Sequence, residues 1–272
     1  MPTAWSQSNG SSWEKRIDRG TNLRASSPGA TQVLTFYCRV LEYQNSLSKK
    51  FAVQPEVTNT SGAGLRDRLD LRQAANSLPA LVEIVAEAGP PALAQTASGL
   101  RGHLFDQAHK MLQQWLDTPD ASDAGSTFFA RVLLQPQAEQ IARAAQVAAH
   151  SSGEKLCPTC GFRPQLAVIR TEGDGGKRSL LCSFCMSEWE FRRILCPACG
   201  EENHKKLPRY SAEGIAAVRV EACDTCNHYL KSVDLTVDGH AVPIVDEIAT
   251  APLDLWAAEH DYRKIQLNIV GF

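Results

Sequence analysis

The sequence predicts an α+β chain: an N-terminal helical bundle, two tandem four-cysteine ribbon modules, and a short C-terminal helical segment. Three observations predict it. Apolar residues recur at helical spacing from Trp13 to about His150. Four C-x-x-C pairs lie between Cys157 and Cys226 and hold eight of the nine cysteines. The segments between the pairs repeat, with 21 residues between Cys160 and Cys182 and 23 between Cys199 and Cys223. The expected divisions are a disordered start (1–12), a helical domain (13–150), a first module (151–195), a second module (196–237) and a helical tail (238–272).

At 272 residues the chain is long enough for two cores of ordinary size. No apolar run approaches the roughly 18–20 residues that span a bilayer, so membrane insertion is not expected. The opening MPTAWSQSNGSS has neither the basic start nor the apolar centre of a secretory signal, and the expected location is cytoplasmic. Thiols in that compartment stay reduced, which favours metal binding over structural disulfides. Residues 1–150 carry 14 basic and 13 acidic side chains, and residues 151–272 carry 14 and 17. Neither half has the basic footprint of a general nucleic-acid binder, and no nucleic acid is expected as partner.

In the first half, Val33, Phe36, Tyr37, Val40, Leu41 and Leu47 form one face of a helix. Ser77 is read as the N-cap of a further helix with Pro79 in its first turn, ended by Gly89, Pro90 and Pro91. Leu104, Phe105, Ala108, Met111, Leu112 and Trp115 line another, and one or two helices follow around Pro136. Four to six helices result. Nothing here makes a catalytic signature. Cys38 beside an apolar face is read as a small core residue, His103 and His109 as helix surface, and Trp115 as a core aromatic. Ser151, Ser152 and Gly153 then form a linker where the composition changes.

Each module follows one plan. After CPTCG come a strand QLAVIR (165–170), a turn, a strand RSLLC (178–182) and a third strand EWEFRRIL (188–195). After CPACG come KLPRYSAEG, a strand AVRVEAC (217–223) and a third strand HYLKSVDL (228–235). In the tail, Val245, Ile248, Leu253, Leu255 and Trp256 need a surface to bury against, either the helical half or the ribbons.

A C-x-x-C-G turn points two thiolates to one side, and Gly161 and Gly200 supply its positive-φ position. The repeat favours consecutive grouping: Cys157, Cys160, Cys182 and Cys185 in site 1, and Cys196, Cys199, Cys223 and Cys226 in site 2. A cross-braced pairing of the first and third turns is the competing topology. Four thiolates suit either zinc or iron, and a single iron so held is a rubredoxin-type centre. With all four positions filled by cysteine, no open position is left for metal catalysis, so an enzyme is not expected. His204 and His228 are read as surface or supporting groups.

The order CPTCG, CSFC with EW, CPACG, EACDTCNHYLK and VDEIATAPLDLWAAEHDY resembles the FdhE-type formate dehydrogenase accessory proteins, most specifically over residues 155–262. The resemblance implies a helical domain joined to two rubredoxin-like modules that bind two metal ions, with iron favoured and zinc as alternative. It also implies a cytoplasmic role in maturing respiratory formate dehydrogenase, on whose catalytic subunit such proteins act before export. The departures are a shorter, Ser-rich start, and Met186 and Asn227 standing where a glycine-like turn residue is common. Candidate partner contacts are Glu188, Trp189, Arg192 and Arg193 near the module junction, and His228, Tyr229 and Lys231 after the last turn. For Trp189 and Tyr229 a place in the small ribbon core is an equal expectation. The rival functions are rubredoxin-like electron transfer and a nucleic-acid-binding zinc ribbon.

Overall fold

The computed structural model describes residues 12–51, 64–102, 105–145, 153–173 and 175–272. Residues 1–11 of the expected disordered start, together with His103, Leu104, Ser151 and Ser152, lie outside the described residues, as does the position of the domain boundary.

Helix α1 (Trp13–Ser26) starts on Ser12, whose hydroxyl accepts from the Lys15 amide. It packs along α2 (Thr31–Lys50), whose buried face carries Leu34, Phe36, Tyr37, Val40, Leu41 and Leu47. The close approach falls at Gly20: a Cβ there would stand 2.8 Å from Cys38 Sγ, and Cys38 is a buried core residue.

Helix α3 (Leu71–Ala88) differs from the sequence expectation. Its N-cap is Asp70, which accepts from the Gln73 amide at 2.9 Å, and the helix runs through Ser77 and Pro79. Burial of Ala74, Ala75, Leu78, Leu81, Val82 and Val85 along one face outweighs the amide bond that Pro79 cannot make. It ends at Gly89, and α4 (Pro91–Leu100) and α5 (Phe105–Asp117) follow. Pro136 likewise sits inside a single helix, α6 (Ala124–Ala145), which is buried almost all round from Phe128 to Glu139. A helix of that kind is the centre of a bundle, and α6 packs against α2, α3 and α5.

The ribbons form one sheet ordered β3-β2-β1-β6-β5-β4. The first module supplies β1 (Pro164–Glu172), β2 (Gly175–Cys182) and β3 (Glu188–Glu190); the second supplies β4 (Arg209–Ala212), β5 (Ile215–Cys223) and β6 (His228–Asp234). Within each module the pairs are antiparallel. The modules join where β1 lies parallel to β6, with Leu166 opposite Lys231 and Ile169 opposite Asp234.

The expected third strand, 188–195, is much shorter than predicted. After Phe191 the chain leaves β2, where Arg178 turns its guanidinium to Glu221 and to the Arg192 carbonyl. The freed segment carries the chain to Cys196.

The tail docks on both halves. Helix α7 (Pro243–Ala249) touches α1, α2, β1 and β6, while α8 (Ala251–Glu259) touches β5 and β7 (Arg263–Lys264), a strand that extends β6 in parallel. Arg19 of α1 closes the seam on Asp246 and Asp238. Val245, Ile248 and Leu253 are buried as expected, but Leu255 faces outward.

Candidate metal centres

The four cysteine turns share one backbone form. The Cys157 amide donates to the Phe162 carbonyl and the Gly161 amide to the Cys157 carbonyl, both at 2.8 Å. Cys196, Glu201 and Gly200 repeat this pattern at 2.9 Å. Gly161 (φ 77°) and Gly200 (φ 90°) occupy the left-handed region, and Met186 (φ 56°) and Asn227 (φ 54°) stand at the same place in the other two turns.

These turns bring the thiols into two consecutive groups: Cys157, Cys160, Cys182 and Cys185, and then Cys196, Cys199, Cys223 and Cys226. The sulfurs of each group lie within 4.8 Å of one another. In site 1, Cys157 and Cys185 are 3.6 Å apart and Cys160 and Cys182 3.4 Å; in site 2, Cys196 and Cys226 are 3.8 Å apart and Cys199 and Cys223 3.7 Å. A tetrahedron with metal–sulfur bonds of about 2.3 Å has sulfur–sulfur edges of about 3.8 Å, so the donor sets fit a four-coordinate ion. His204 and His228 stand outside both groups, and His228 Nδ1 is engaged with the Cys226 carbonyl.

The thiols of site 1 share protons unequally. Hydrogen bonds from Cys160, Cys182 and Cys185 hold the Cys157 thiol far below its ordinary range. Burial pushes Cys182 up, and hydrogen bonding with Cys157 does the same to Cys185. Such a set must release protons as a cation enters. Backbone support for sulfur is also present, since the Phe184 amide donates to Cys182 Sγ at 3.3 Å.

The surroundings of the two sites differ. All four cysteines of site 1 are buried. Phe162 and Phe184 stand 4.7 Å apart; Phe162 stacks on Trp115 of α5 at 5.2 Å and Phe184 meets it edge-on at 5.3 Å, so the helical half covers the site. In site 2, Cys199 is exposed and Cys226 half-buried.

Two arginines that sequence reasoning missed complete site 1. Arg66 donates to the Cys160 carbonyl at 3.2 Å and lies 4.5 Å over the Phe162 ring. Arg131 of α6 donates to the carbonyls of Ser183 (2.9 Å) and Leu267 (2.8 Å) and to Gln165 Oε1 (3.0 Å). Burial pulls the Arg131 guanidinium down to about 10, which leaves it charged at neutral pH. The signal for Arg131 was present in the sequence as a lone charge inside the apolar run Phe128 to Leu134; Arg66, in LRDRLD, gave none.

Burial corrects part of the expected contact surface. Trp189 is in the core, with its indole N–H donating to the Glu154 carbonyl at 2.8 Å. Tyr229 is buried and donates to Asp254 at 2.8 Å. Lys231 is fully buried among Glu247, Asp254 and Thr250. Strand β6 is buried on both faces from Tyr229 to Asp234, and the tail helices α7 and α8 cover Tyr229 and Lys231 through Glu247 and Asp254. Glu188 pairs with Arg170 at 2.8 Å and accepts from Ser179, while Arg192 and Arg193 are exposed and His228 is half-buried. Arg193 and His228 both line a cleft of about 30 Å³ beside Cys196 and Cys223.

Comparison with known proteins agrees with this architecture. The family model described as "FdhE, central domain" matches residues 156–193, and that described as "FdhE, C-terminal domain" matches residues 194–270. A protein FdhE homolog of Aquifex aeolicus (strain VF5) is 27% identical over 270 residues, covering 95% of this chain and 95% of the relative. One from Haemophilus influenzae (strain PittEE) is 32% identical over 199 residues, covering 69% of this chain and 64% of the relative. The crystal structure of the FdhE protein from Pseudomonas aeruginosa shares the fold, with a TM-score of 0.71 at 24% identity over 97% of both chains. The two matched domains over residues 156–270 and the relatives alike along most of the chain make this protein a member of the FdhE family.

Proposed function

We propose that this chain is an accessory protein for the maturation of respiratory formate dehydrogenase. On this reading it works in the cytoplasm, binds the catalytic subunit before export, and holds one metal ion in each four-cysteine site. The observation that carries the metal reading is the pair of cysteine clusters at tetrahedral spacing. Membership of the FdhE family supports the client. Iron is the favoured ion and zinc the alternative, since four thiolates accept both. The ion would fix the turns and could exchange an electron, and a closed set of four cysteines gives substrate no coordination position, in keeping with a role other than catalysis. Among the described residues no helix is long and apolar enough to cross a membrane.

With Trp189, Tyr229 and Lys231 in the core and the Glu188 side chain held by Arg170 and Ser179, the proposed client contacts are Arg192, Arg193 and His228, near the module junction and site 2. Co-purification with the catalytic subunit tests this. Reversing Arg192 and Arg193 to glutamate is expected to abolish capture while metal analysis still gives two ions per chain; undiminished capture would sink the surface. Elemental analysis and a visible spectrum of anaerobically purified chain decide the ion, because ferric thiolate absorbs and zinc does not.

Exposure of Cys199 favours one second reading, electron transfer through site 2. It requires a reversible couple, and zinc in both sites would remove it.

A further inference from the structure

Buried charge in this protein is balanced almost everywhere. Arg16 pairs with Glu139, and Lys231 and Lys264 pair with Glu247 and Asp254. Among the fully buried charged side chains of the described residues, Arg131 is the exception, while half-buried Arg68 also has guanidinium nitrogens without a partner. Arg131 is buried, yet among the described residues it forms no ion pair with a carboxylate; its partners are two carbonyls and an amide, and its Nε has none. An isolated buried cation is costly unless an anion lies near. Two anionic groups lie beyond its partners: Cys182 of site 1, next to Ser183, and Glu247, which the Gln165 amide reaches at 3.4 Å and which Lys231 and Lys264 already neutralise. Four thiolates around a divalent ion leave a double negative charge, and around a ferric ion a single one.

We propose that Arg131, seconded by Arg66, is the counter-cation of site 1. The helical half thereby supplies the positive charge that the metal–thiolate centre requires. Arg131 approaches through the second turn at Ser183, and Arg66 through the first turn at Cys160. Arg66 is half-buried and also forms no carboxylate ion pair among the described residues. Site 2 is built differently: Lys155, whose Nζ lies over Gly200, is exposed and solvated. Docking of the helical half and loading of site 1 are therefore linked, whereas site 2 loads independently of it.

This inference rests on the reading that site 1 holds a metal ion, and the test separates the two. The full chain is loaded with iron, and the reduction potential and chelator resistance of each centre are measured for wild type, Arg131→Gln, Arg131→Lys and Arg66→Gln. A Cys199→Ser chain assigns the signals. Removing a nearby positive charge disfavours the more negative ferrous state, so in Arg131→Gln the site 1 potential falls. At fixed potential the ferric-to-ferrous ratio rises about tenfold, which is 59 mV for one electron. Site 1 also yields its iron to about tenfold less chelator, and site 2 keeps wild-type values. Arg131→Lys, which retains the charge, restores most of the potential, and Arg66→Gln shifts it in the same direction by less. An unchanged site 1 in a folded Arg131→Gln chain overturns the proposal, as does equal weakening of both sites. Should Arg131→Gln fail to fold, an unshifted potential in Arg66→Gln overturns it. A wild-type chain that takes up no metal removes the metal reading itself.

Discussion

At the scale of single residues, the cysteine turns depend on one backbone angle as much as on sulfur. Gly200 holds φ at 90°, where a side chain costs about 1–2 kcal/mol. The Cβ of an alanine would meet only the Lys155 side chain, Nζ at 3.1 Å and Cε at 3.4 Å, and that exposed side chain can move aside. The penalty in Gly200→Ala is therefore conformational. Site 2 is expected to lose its ion at about tenfold lower chelator concentration, with site 1 unaffected. Asn227 stands at the equivalent place in the partner turn with φ 54°. Asparagine tolerates that region, so Asn227→Gly should leave retention nearly unchanged. Chelator titrations of both variants check the contrast, and equal behaviour would remove the turn argument.

At the scale of elements, the tail is fastened to the sheet by a buried ionic group. Lys231 of β6 and Lys264 of β7 surround Glu247 of α7, and Asp254 of α8 completes the set. Burial alone would raise the Glu247 carboxyl, but the two ammonium groups outweigh it and hold it at about 2. Its folded pKa is thus depressed, so its stabilisation is present above the ordinary value of 4.5 and is lost as pH falls toward 2. Glu247→Gln should cost about 3–5 kcal/mol at neutral pH. The difference from wild type should shrink across that acid window, as denaturant unfolding at several pH values will show. None of this group was legible in advance. Lys231 looked like a surface residue in HYLKSVDL because its partners lie 16 and 23 positions further on. The cysteine turns and most strands were readable, since C-x-x-C spacing and β-branched runs are local, but the third strand was drawn too long because the turn of Arg178 toward Glu221 is tertiary. Helix α3 was misplaced because a local proline rule competed with a tertiary face that sequence does not display.

At the scale of the whole molecule, duplication was visible in the cysteine intervals, but the parallel pairing of β1 with β6 was not, since it joins residues more than sixty positions apart. That pairing makes two similar modules unequal. The first has its turns under Trp115, Arg66 and α6, while the second turns Cys199 outward. A competing chelator must displace thiolates one at a time, and an exposed thiolate is the one it can reach. Metal release under excess chelator should therefore be biphasic, one ion leaving fast and one slowly. Cys199→Ser should abolish the fast phase without changing the slow one. Cys157→Ser should leave the fast phase in place. A single phase for both ions would show that cover by the helical half does not control access, and that the two modules open together as one sheet.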